Sequence, residues 1–237
     1  MKRYLPFIII LIVLAGAVGI TLALWRRNSD SSSSNSPYAA MNPSNPALSA
    51  PATSPSASSD PDLTKPNVKV NSPVVLDEYG DYQCPPCGLL YPELKKIEAE
   101  YGDQLRIVFH HFPLAKIHKN AMAAAQAAEA ARNQNKFWEM HDRLYLNQKA
   151  WAEADDPRPV FVSYARELKL NIEQFIPDMD TNEVLQRILA DQQRGAAAGV
   201  SGTPTVFIDS NMLRYEATTP EGLRKGINFM LKKRAAS

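Results

Sequence analysis

Apolar positions along the chain change their spacing twice. From Leu5 to Trp25 they run on with no charged side chain between them, and from Asn28 to about Lys65 they nearly vanish among Ser, Pro, Asn and Ala. From about Pro66 onward they return with the periods of strands and helices. Val74, Val75 and Leu76 in Pro73–Tyr79, closed by Gly80-Asp81, predict a strand. A helix is expected after Cys84, where Leu90, Leu94, Ile97 and Tyr101 step by four, three and four along one face. Pro92 lies inside that stripe and predicts a kink, because its ring removes a backbone donor. Leu105–Phe112 reads as a second strand and the stretch from about Ile117 to Tyr145 as helical, with an Ala-rich half followed by Phe137, Trp138, Met140 and Leu144. Helical spacing recurs over Val160–Leu168 and Thr181–Ala198, which leads to Gly199. A strand over Thr205–Asp209, a turn at Ser210-Asn211, a short strand over Leu213–Glu216 and a helix over Thr219–Lys233 complete the set. Thr219-Pro220-Glu221 opens that last helix with a capping hydroxyl and a proline suited to the first turn.

Length and polarity sort these stretches into three parts. The Leu5–Trp25 run is long enough to cross a hydrocarbon layer about 30 Å thick, so residues 1–27 read as a single-pass membrane anchor. Lys2-Arg3 and the small residues Ala15, Gly16 and Ala17 leave a cleaved signal peptide as the alternative. Residues 28–65, including Ser31–Ser34, hold too few large apolar side chains to build a core and read as a disordered tether. Asn35-Ser36-Pro37 does not fit the sugar-acceptor pattern. Residues 66–237 suit one α/β domain. Lys2-Arg3 on one side of the apolar run and Arg26-Arg27 on the other do not settle its orientation. Basic and acidic side chains balance at 26 against 25, which supplies no positive field for nucleic acid, and none is expected as a partner.

Chemistry concentrates in the two cysteines, Cys84 and Cys87, which flank Pro85-Pro86 at the junction of the first strand and its helix. Such a pair can close a small disulfide ring, and the helix start favours thiolate at Cys84. A thiolate attacks disulfides, so Cys84 can form a mixed disulfide that Cys87, one turn further in, resolves. Neither proline carries an N–H, leaving the Cys87 amide as the expected local donor to the Cys84 sulfur. The Cys84 pKa is therefore expected below about 8.5 and well above the extreme of about 3.5. With both cysteines in one motif and no third thiol, the domain suits an oxidising compartment outside the cytoplasm.

Glu78-Tyr79-Gly80-Asp81-Tyr82-Gln83-Cys84-Pro85-Pro86-Cys87, together with Gly199-Val200-Ser201-Gly202-Thr203-Pro204-Thr205, resembles the DsbA-like thiol–disulfide oxidoreductases. The resemblance spans Asn71 to about Lys233. It implies a thioredoxin-like fold with an inserted helical subdomain at about 115–198, needing no cofactor. It further implies Cys84 as exposed nucleophile, Cys87 as its buried partner, and a cis bond at Thr203-Pro204 facing them. Glu78 occupies the place of the family's buried acid, the proton acceptor for Cys87. Leu76, two residues earlier on the same strand face, is consistent with an inward Glu78. The chain departs from the pattern at Pro86, where the strongest oxidases carry His. Exported protein thiols or disulfides and a membrane redox partner are the implied partners, in a bacterial cell membrane with the domain on the outer side.

Two other readings compete. Cys84 and Cys87 could pass copper as soft ligands, although no second C-x-x-C or H-x(3-5)-H completes a zinc site and no bound metal is expected. The fold could serve only as a protein-binding platform. His110-His111 and the aromatic group Phe137, Trp138 and Tyr145 are expected in structural roles rather than in catalysis or a substrate groove, with Trp25 and Trp151 as packing or interface anchors.

Overall fold

Strand β1 (Val74–Gly80) sits inside the sheet, parallel to β2 (Leu105–His111) on one side and antiparallel to β3 (Thr205–Ile208) on the other. The short β4 (Asn211–Met212) pairs antiparallel with β3, giving the order β2-β1-β3-β4. This is a computed structural model describing residues 74–236. The apolar run Leu5–Trp25 and the Ser/Pro-rich stretch 28–65 lie outside the described residues. Among the described residues no helix is long and apolar enough to cross a membrane.

The period of two in β1 explains how the layers are assigned. Val74 and Leu76 face α1 (Pro85–Tyr101) and α8 (Pro220–Ala235), and they share a core with Leu90, Leu94, Ile97, Leu223 and Ile227. Asp77 and Tyr79 point the other way, toward α7 (Asn182–Ala197). Gly195 on α7 lacks a Cβ where one would lie 2.8 Å from the Tyr79 ring, so the helix can press directly on the sheet. Helix α1 continues through Pro92, with its stripe of Leu90, Leu94 and Ile97 buried as the spacing predicts.

Between β2 and β3 lies the helical insert: α2 (Ala121–Arg132), α3 (Phe137–Leu146), α4 (Gln148–Trp151), α5 (Arg158–Glu167), α6 (Ile172–Asp178) and α7. The stretch expected to be helical from about Ile117 to Tyr145 holds two helices, α2 and α3, matching its Ala-rich and aromatic halves. Asn135 takes φ 58, a left-handed conformation that Asn tolerates, and the Lys136 amide returns to the Ala131 carbonyl to end α2. Apolar spacing alone gave no sign of α4 and α6. The turn after β3 also begins one residue earlier than expected: Asp209 (φ 46) and Ser210 (φ 66) form the two-residue connection. The second strand of this hairpin is thus Asn211–Met212, and Tyr215–Ala217 forms a 3-10 turn in place of the end of the expected strand.

Candidate active site

Cys84 is the N-cap of α1, just past the end of β1. An aspartate builds the turn between them: one Asp81 carboxylate oxygen accepts the Gln83 amide at 2.7 Å, and the Asp81 carbonyl accepts the Cys84 amide at 3.1 Å. The other Asp81 oxygen holds the Leu114 amide and His118 Nδ1, tying this turn to the segment after β2. Side-chain amides brace it from the insert. Gln148 Nε2 donates to the carbonyls of Tyr82 (2.7 Å) and Cys84 (2.9 Å), and Gln83 Nε2 donates to the Ala152 carbonyl. Asn120 gives its backbone N–H to Gln83 Oε1 and its side-chain amide to the carbonyls of Trp151, Ala152 and Ala154.

The two thiols are free, and both are buried: Cys84 is 4% exposed and Cys87 is 0% exposed. The exposed Cys84 implied by the family resemblance is thus corrected, because its thiol lies under the 203–204 loop and donates to the Thr203 carbonyl at 3.4 Å. The Thr203-Pro204 bond is cis. Glu78 is buried on β1 beside this pair, with Val206 of β3 and Phe109 of β2 as its strand neighbours. The fold therefore brings Cys84, Cys87, Glu78, Thr203 and Pro204 to one place.

The environments of the thiols push their pKa values apart. A hydrogen bond from the Cys87 thiol, aided by the Thr203 side chain and the Cys87 amide, lowers Cys84 from 9.0 to about 6 despite the opposing effect of burial. The Cys87 side chain is thus a stronger donor here than the amide singled out from the sequence. Burial raises Cys87 well above its ordinary value, assisted by Cys84 and the charge on Glu78. Titrating thiolate absorbance in the reduced protein is expected to give a first step near pH 6, absent in Cys84→Ser; a first step above pH 8 rejects this arrangement.

Tyr145 lies in the hydrophobic core as its aromatic character predicts, whereas Gln148 bears on Cys84 only through the way α4 folds back, which no local pattern in the sequence announces. His110 and His111 are buried against carboxylates: His110 beside Asp77 (3.0 Å) and Asp191 (3.3 Å), and His111 hydrogen-bonded to Glu129 (3.0 Å). Among the described residues no group of three or more His, Cys, Asp or Glu is placed to hold a metal ion.

The sequence model of the thioredoxin family matches residues 69–228. The fold is similar to oxidised BdbD of Bacillus subtilis, with a TM-score of 0.60 at 20% identity, over 72% of this chain and 92% of that one. It is also similar to the thiol-disulfide exchange protein alpha-DsbA2 of Wolbachia pipientis, with a TM-score of 0.59 at 19% identity, over 69% and 85%. Among curated proteins, the chain is 36% identical over 150 residues to Na(+)/H(+) antiporter NhaA 1 of Salinispora arenicola. That match covers 63% of this chain and 22% of the antiporter. A second antiporter, NhaA of Herminiimonas arsenicoxydans, is 34% identical over 162 residues, covering 68% and 25%. The chain thus spans about a quarter or less of the length of these curated relatives.

Proposed function

The chain belongs to the thioredoxin family and carries a DsbA-like fold, and on that premise we propose that it is a thiol–disulfide oxidoreductase acting through Cys84 and Cys87. The observation that carries this reading is the placement of the two thiols: Cys84 caps α1 beside the cis Thr203-Pro204 bond, and Cys87 lies one turn in, fully buried. Cys84 is drawn down to about 6, and burial pushes Cys87 well above its ordinary value. Cys84 attacks a substrate disulfide, or receives the attack of a substrate thiol when the pair is oxidised. Cys87 then closes or reopens the ring, with Glu78 as its proton acceptor. The cis Thr203-Pro204 segment, lying over Cys84, is where an extended substrate strand pairs with backbone.

Exported proteins are the substrates in this reading, because a lone redox pair with no third cysteine suits an oxidising compartment. The Leu5–Trp25 run serves as the membrane anchor, 28–65 as the tether and 66–237 as the catalytic domain, with a membrane redox partner within reach. Ion transport stays with the antiporters whose names state it. The test is the equilibrium reduction potential of the full chain against glutathione, with Cys84→Ser as control. With Cys84 near 6, the value is expected between about −120 mV, typical of the strongest oxidants, and about −270 mV, typical of reductases. Bound copper with no redox couple would sink the oxidoreductase reading.

A further inference from the structure

Two acidic groups share one turn at the start of α1. Cys84 caps the helix, and Asp81 stands three residues before it, with its carbonyl on the Cys84 amide at 3.1 Å and its carboxylate folded onto the Gln83 amide at 2.7 Å. The Asp81 side chain is fully buried. A carboxylate held there competes with a Cys84 thiolate for the positive end of the helix, and its charge opposes ionisation of that thiol. The carboxylate builds the turn, but a buried anion is costly unless hydrogen bonds meet its lone pairs.

Those bonds come partly from the segment after β2. His118 Nδ1 lies 2.7 Å from the second Asp81 oxygen, beside the Leu114 amide at 2.9 Å. A carboxylate only accepts, so Nδ1 carries the proton and His118 is the donor. The Gln83 and Leu114 donors are backbone N–H groups, whereas His118 contributes a side chain, 16% exposed at the edge of the site. We propose that His118 is a positioning residue for the redox pair, acting through Asp81: its N–H draws the carboxylate's charge away from Cys84, and the Cys84–Cys87 disulfide is a stronger oxidant for it. This deepens the oxidoreductase reading and rests on it. When glutathione reduces the pair, two glutathione thiols give up two electrons and two protons and leave as glutathione disulfide. The Cys84–Cys87 bond opens, Cys87 takes one proton, and Cys84 ends as a thiolate with the second proton released to solvent. Whatever favours that thiolate favours reduction of the pair. Without His118 the second Asp81 oxygen keeps only the Leu114 amide, its charge bears more fully on the sulfur, and the reduced form loses ground.

The test is the equilibrium constant of the full chain with glutathione at neutral pH, with melting temperatures alongside. It is read for wild type, His118→Leu, His118→Asn, Asp81→Asn, and His118→Leu combined with Asp81→Asn. His118→Leu removes the donor, and its constant for oxidising glutathione is expected to fall about fivefold, which is about 20 mV for a two-electron couple. Its Cys84 thiolate absorbance step is expected to move to higher pH. His118→Asn keeps an N–H at about the place of Nδ1 and is expected to return to within about twofold of wild type. In the Asp81→Asn background, where the charge is gone, His118→Leu is expected to leave the constant unchanged. An unchanged constant in the single His118→Leu variant with a lower melting temperature makes His118 a structural tie and overturns the proposal. So does a fall that Asn fails to reverse, or an equal fall with and without the Asp81 charge. If Asp81→Asn does not fold, the Leu and Asn variants at 118 decide alone. A wild-type chain with no redox couple defeats the oxidoreductase reading itself.

Discussion

Cys84→Ser is expected to abolish disulfide exchange, with insulin reduction falling by on the order of a thousandfold or more. A serine hydroxyl does not ionise near neutral pH, so the lowered pKa of the nucleophile is lost with the sulfur. Cys87→Ser should behave differently. Cys84 can still attack, but nothing remains to resolve the product, and the protein is expected to accumulate as a mixed disulfide visible by intact mass. The two variants separate the roles that the unequal environments assign. A Cys84→Ser protein that still forms mixed disulfides through Cys87 would reverse that assignment.

Asp191→Ala is expected to cost about 3 to 5 kcal/mol in denaturant unfolding, the usual penalty for breaking a buried ion pair from one side. Asp191 accepts from His110, from the His111 amide and from Arg194, pinning α7 to β2. Burial alone would push His110 down, but its bonds to Asp191 and Asp77 prevail and lift it from 6.5 to about 9. A raised folded pKa means that the native state holds the proton more tightly than the unfolded chain. The stability it contributes is therefore fully present below about pH 6.5 and is lost as pH rises through about 9. Wild type should weaken over that window, and Asp191→Ala should show a flatter profile there. If the two profiles run parallel, the His110 pairing is not the source of the pH dependence.

What the sequence made legible was local. The β1 strand, the stripe of Leu90, Leu94 and Ile97, and the Cys84–Cys87 spacing each lie within a few residues, where one period or one motif decides. The break at Asn135 lies in the polar run Arg132–Lys136 between an Ala-rich and an aromatic half, and its geometry depends on one residue taking a positive φ. Long-range placement was not legible in this way. Whether Cys84 is covered depends on a loop 119 residues away. The strongest donor to Cys84 was likewise misjudged, because counting backbone amides leaves out a neighbouring thiol.

The cover over Cys84 has a consequence for the lifetime of the protein. A thiolate in an oxidising compartment is open to stepwise oxygenation to sulfinic and sulfonic acids, and susceptibility follows thiolate character together with exposure. Cys84 has the first property and largely lacks the second, since the Thr203 carbonyl shields its sulfur. The 203–204 loop thus screens the sulfur from small diffusing oxidants, and Cys87, one turn away, is placed to capture a sulfenic acid as a disulfide before damage becomes permanent.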